Sequence, residues 1–124
     1  MKAYYDNKPS KIEAVGNGSY MYRYDIEEVE NQSQTEEEKK TQWQCEEVVV
    51  WAPLTQNRIT QVALSDRWDS DYEQKLINEY NSAELGVYDE ETSKKKIDAY
   101  TEFLKERAAL KDMIDADCEE LGIK

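Results

Sequence analysis

From Asp89 to Leu121 the chain carries neither proline nor glycine. No other stretch restricts the fold as much, because a run this long and this rich in helix formers predicts one continuous helix over 89–121. Asp89 is placed to cap it, its carboxylate accepting from the free amides of the first turn. Glu90 and Glu91 follow at the positive end of the helix dipole. Apolar residues then recur at helical spacing: Ile97, Tyr100, Leu104, Ala108, Ile114, Cys118 and Leu121, flanked by Phe103, Leu110 and Met113. Gly122 is the expected left-handed stop. At 1.5 Å per residue the rod is about 48 Å long.

The helix before it is expected from Ser70 to about Leu85. Ser70 and Glu73 form a capping box there, Tyr72, Leu76, Ile77 and Tyr80 form its apolar face, and Gly86 follows the last turn. The two should fold into an antiparallel hairpin around Gly86-Val87-Tyr88. The shorter arm spans only about 24 Å. The distal half of the long helix therefore needs other cover for Leu110, Met113, Ile114 and Leu121. Each of these stabilises by about 1.5–3 kcal/mol once buried. The cover is either the N-terminal sheet or another chain, and these four residues are the expected protein interface.

The N-terminal part reads as strands. Lys2–Tyr5 and Lys11–Val15 are short, separated by the turn residues Asp6-Asn7-Lys8-Pro9. Gly16-Asn17-Gly18 is the strongest turn signal. Ser19–Glu28 alternates cleanly, with Tyr20, Tyr22, Tyr24 and Ile26 on one side. Thr41–Trp51 places Trp43, Cys45, Val49 and Trp51 on one face and Val48 and Val50 on the other; Pro53 ends it. Between these strands, residues 30–40 are too polar to bury apolar area and read as a mobile acidic loop. Thr55 caps a short helix carrying Ile59, Val62 and Ala63. The fold class is α+β. A small antiparallel sheet of three to four strands fills 1–54, and 55–124 holds a short helix and a long helical hairpin.

Charge and composition narrow the function. The chain has 28 acidic and 16 basic residues, a net charge of −12, which argues against nucleic acid and against anionic membrane surfaces. No run reaches the length of a membrane span, and no apolar signal segment follows Met1. Without histidine, Ser-His and Cys-His catalysis and the commonest neutral metal ligand are excluded. Cys45 and Cys118 lie in different elements and read as free buried thiols. No phosphate-binding glycine loop or Cys-x-x-Cys pair is present. No cofactor and no metal is expected, and the chain reads as non-enzymatic.

Three constellations merit comparison with plainer readings. Asp66, Asp69, Asp71 and Glu73 alternate like calcium ligands, yet lack the turn glycine and distal glutamate of an EF-hand loop. Helix capping explains them as well. Asp112, Asp115, Asp117, Glu119 and Glu120 crowd a helix C-terminus, where acids are unfavourable. They serve solubility or match a basic partner. Tyr20, Tyr22, Tyr24, Trp43 and Trp51 could stack a sugar or a peptide, or simply lie under the helices as a half-buried sheet face.

Three segments carry a family resemblance: Gly16-Asn17-Gly18-Ser19-Tyr20-Met21-Tyr22-Arg23-Tyr24; Trp43-Gln44-Cys45-Glu46 running into Pro53-Leu54-Thr55; and Lys75-Leu76-Ile77-Asn78-Glu79-Tyr80-Asn81 with the helix ending at Asp117-Cys118-Glu119-Glu120-Leu121-Gly122. Together they resemble small tail-associated proteins of Bacteroides-type phages and prophages. That resemblance implies a structural, tail-accessory or tail-fibre assembly role. Its partner would be a tail or virion protein, a second copy, or both, and its location the host cytoplasm during assembly or the virion. It brings no catalytic residues.

Overall fold

The computed structural model describes residues 1–30 and 41–124. The loop expected over 30–40 thus lies, apart from Glu30, outside the described residues. The architecture is α+β, with four strands followed by three helices: β1 (Lys2–Tyr5), β2 (Ile12–Ala14), β3 (Ser19–Glu30), β4 (Thr41–Trp51), α1 (Gln56–Arg67), α2 (Ser70–Glu84) and α3 (Glu90–Leu121). The chain divides into two compact units, Met1–Val62 with Ile123–Lys124, and Ala63–Gly122. The division falls inside α1 rather than at the strand-to-helix junction near residue 54.

In the first unit the strands form one antiparallel sheet in the order β1-β4-β3-β2. Alternation fixes its faces. Tyr20 lies opposite Val50 and Tyr22 opposite Val48, and Tyr22, Tyr24, Val48 and Val50 are all buried. Ile59 of α1 joins the same unit's core. Gly16 and Gly18 turn the β2–β3 hairpin with φ of 97° and 86°, values a side chain resists. Asn17 Oδ1 accepts from the Ser19 amide at 3.2 Å. After Tyr24 the register slips: Tyr24 faces Glu46, but Glu27 faces Gln44. Three steps on β3 match two on β4, so a β-bulge holds one extra residue, and Asp25 takes φ of 52° within it. Thr55 Oγ1 accepts from the Arg58 amide at 3.2 Å, capping α1 as its sequence predicts.

In the second unit α2 and α3 form the hairpin. Trp68 meets Phe103 edge-on at 5.3 Å, Tyr80 meets Tyr100 at 4.9 Å, and Lys96 pairs with Glu79 at 3.3 Å. Asp89 caps α3, its Oδ1 accepting from the Thr92 amide at 2.7 Å, and Gly122 closes it in the left-handed region. The cap of α2 is Asp69 and not Ser70: Asp69 Oδ1 accepts from the Tyr72 amide at 2.7 Å, and Ser70 is the first helical residue. Along α3 the buried line is Phe103, Leu110, Ile114 and Cys118, while Leu104 is 45 % exposed and Ala108 is exposed. Phe103 and Leu110, expected at the flank, join Ile114 and Cys118 of the expected stripe. The eleven-residue step from Phe103 to Ile114 covers three turns at close to 3.6 residues each.

Candidate functional site

The most constructed side-chain arrangement among the described residues lies on the sheet face opposite the buried tyrosines. Alternation brings Arg23 of β3, Glu47 of β4 and Tyr5 of β1 to that face. The Arg23 side chain is only 5 % exposed. Its Nε donates to Glu47 Oε2 at 3.2 Å and also approaches the Tyr5 hydroxyl at 3.3 Å. One terminal nitrogen donates to the Ser10 carbonyl at 3.1 Å, and the other pairs with Glu13 at 3.5 Å. The guanidinium lies over the Tyr5 ring at 4.8 Å, and the Tyr5 hydroxyl donates to Glu47. That hydrogen bond, with burial, pushes the Tyr5 phenol above its ordinary value, against the opposing pull of Arg23. Every charge here has a partner inside the knot. Its chemistry is that of a structural clamp joining all four strand regions.

Beside the clamp the same face is apolar and open. Val49 and Trp51 of β4 alternate with Glu47, and Met21 of β3 sits opposite Val49. Val15 pairs its amide with the Ser19 carbonyl at 3.0 Å and completes the patch. Trp51 is 54 % exposed, Val15 49 % and Val49 44 %. On the other side of the clamp Lys8 lies over the Trp43 ring at 5.7 Å.

The expected aromatic platform is therefore divided. Tyr20, Tyr22 and Tyr24 lie on the covered face with Val48 and Val50, while Trp43 and Trp51 belong to the open one. The pairing register causes this, because Tyr22 stands across from Val48 and not from Val49. The expected helical interface changes too. Leu110 is 4 % exposed and Ile114 fully buried in the single chain, with Met113 and Leu121 half-buried, so no open apolar stripe is offered there. Of the two expected sources of cover, the chain's own residues or another chain, the first suffices for Leu110 and Ile114.

Asp69 is the α2 cap, and Asp117 is buried while Glu119 and Glu120 are exposed. Among the described residues no group of three or more Asp, Glu, Cys or His side chains is placed to hold a metal ion. A cleft of about 180 Å³ beside the bulge is lined by Lys2, Asp25, Glu27, Gln44, Cys45 and Glu46. There Gln44 donates to Glu27 at 3.1 Å, and the terminal amine of Met1 pairs with Glu46 at 3.2 Å. A smaller cleft of about 90 Å³ lies at Trp68, Phe103 and Arg107. Burial raises the Cys45 and Cys118 thiols above their ordinary value, with neighbouring carboxylates adding to it.

No family model, curated protein or solved structure matches this chain. The functional reading consequently rests on the site itself. Arg23 is the residue that sequence reading missed. Alternation alone puts it on the strand side away from the tyrosines, and the signal that marks it is the coincidence of Arg23, Glu47 and Tyr5 on one face once strand order is known. Among the described residues no helix is long and apolar enough to cross a membrane.

Proposed function

We propose that this chain is a non-enzymatic protein that works by holding other proteins, through the open sheet face carrying Val15, Met21, Val49 and Trp51. The exposure of Trp51 beside a locked ion-paired clamp carries this reading. Exposed apolar residues grouped on a rigid sheet mark docking surfaces, and tryptophan is the residue most enriched at their energetic centres. The clamp has already fixed the strands, so docking orders little additional backbone. The resemblance of its segments to phage tail-associated proteins points to a tail or virion protein as the partner, met in the host cytoplasm during assembly or in the particle.

The test is calorimetric titration against purified structural proteins encoded beside this gene. Trp51→Glu should weaken the productive pairing by at least about tenfold, as expected for a central aromatic. Binding unchanged by Trp51→Glu would reject this surface. A second reading is favoured by the presence of Trp43 and Trp51 on one open face: a carbohydrate- or peptide-binding module. A glycan array that lights up, and goes dark with Trp51→Ala, would put that reading first.

A further inference from the structure

Among the described residues, Val48–Trp51 has a strand neighbour on one side only. Its register runs against Ser19–Tyr22 of β3, whereas β1 ends its pairing at Glu46, and the last bond on that side is Glu47 amide to Met1 carbonyl at 2.8 Å. Backbone groups alternate sides along a strand. Since Glu47 turns its N–H toward the β1 side, Val49 and Trp51 do the same, and no described strand stands opposite them. The Ala52 amide, bonded to the Gly18 carbonyl at 2.9 Å, confirms the alternation. Natural edges are guarded by charge, proline or brevity. The β1 edge carries Lys2 and β2 is only three residues long. Val48-Val49-Val50-Trp51 carries no charge, in a chain that is 35 % charged, and Pro53 lies beyond its end.

We infer that this edge pairs with the same edge of a second copy, antiparallel and centred on Val50, joining two sheets across a two-fold axis. The centre follows from the bonds available. Centred on Val49, the pairing would need Glu47, whose amide is already held by Met1. Centred on Trp51, it would set Val49 against Pro53, which has no N–H to give. Centred on Val50, Val49 of each copy faces Trp51 of the other, and the two pairs exchange about four backbone hydrogen bonds. Pro53, next in line toward the other copy's Glu47, lies in the bend that ends β4, and Met1 keeps its bond to that Glu47.

The side chains agree with that register. Val49 and Trp51 are the exposed residues of the open face, and the pairing lays each indole beside a β-branched neighbour, a favourable cross-strand combination. The run itself is uncharged, and the nearest acids are already paired, Glu46 with the Met1 amine and Glu47 with Arg23. The remaining repulsion between two chains of net charge −12 is long-range and screened by salt. So short a seam gives a dimer that forms with concentration and tightens as salt rises.

This inference shares with the proposed function the reading of this surface as a contact, and its experiment reads self-association alone. Sedimentation of the full chain from about 1 µM to about 1 mM, at low and high salt, should move from 14.6 kDa toward twice that mass. Val49→Pro removes one outward N–H and no bond to β3. It should stay monomeric with an unchanged melting curve, while Val49→Thr should still associate. If Val49→Pro fails to fold, Trp51→Lys replaces it with the same expectation. A wild-type chain monomeric throughout, or a folded Val49→Pro or Trp51→Lys that dimerises as well as wild type, overturns the inference. A monomer that still binds a neighbouring tail protein leaves the proposed function standing; a dimer that binds none does the reverse.

Discussion

Replacing Arg23 by methionine tests the clamp most directly. Methionine fills a similar volume but removes the charge and all five donors. The Glu47 carboxylate, only 16 % exposed, then loses its counter-charge, and the Ser10 carbonyl and the Tyr5 hydroxyl each lose a neighbour. Breaking a buried pair from one side costs about 3–5 kcal/mol, because the surviving charge stays desolvated. The Glu13 contact adds little, since that side chain is 58 % exposed. Thermal unfolding followed by tryptophan fluorescence reads the effect, in a Trp68→Phe background so that the emission comes from Trp43 and Trp51 of the sheet unit. The expected drop in midpoint temperature is on the order of 10 °C. Removing the whole knot, as Arg23→Met with Glu47→Leu and Tyr5→Phe, should recover most of the loss, because an apolar replacement leaves no orphaned charge. A single variant within about 1 kcal/mol of wild type, or a triple variant no better than the single, would refute the buried-clamp reasoning.

Two further outcomes follow from the same geometry. The folded-state phenol of Tyr5 is raised by its bond to Glu47, so its contribution is complete below pH 10 and lost as pH rises through the folded value; Tyr5→Phe should flatten that alkaline fall in a stability–pH series. Cys45 and Cys118 are buried with raised thiols, so iodoacetamide at pH 8 should label neither in the native chain and both in urea, as intact-mass spectrometry will count.

The elements that local chemistry dictates were readable from residues alone. Asp89 and Gly122 bracket α3 where capping rules put them, and Gly16-Asn17-Gly18 turns the hairpin. What escaped depends on pairing. Period-two alternation sorts Val48 from Val49 within β4, but only the register tells which of them shares a face with Tyr22. The misplaced aromatic platform and the missed Arg23 clamp both arise from that one degree of freedom. The cap of α2 moved by one residue because Asp69 and Ser70 are both good capping types, and sequence carries nothing to separate them. The cover of Leu110 and Ile114 stays open at the level of sequence for a related reason: periodicity along a helix says which residues seek cover, and not whether the chain supplies it.

The extra residue at Asp25 also separates two design problems. On its near side, the tyrosine ladder must hold step with Val48 and Val50 or lose the core; on its far side, the mostly polar Glu27–Glu30 runs against Thr41–Gln44, of which Trp43 and Gln44 also carry Tyr5 and Tyr4 of β1. Offsets in that ribbon end at the bulge instead of propagating into the layer of buried rings. The rim of Val29–Glu30 against Thr41–Gln42, which bears no β1 partner, can thus be recut in sequence while the handle keeps its grip.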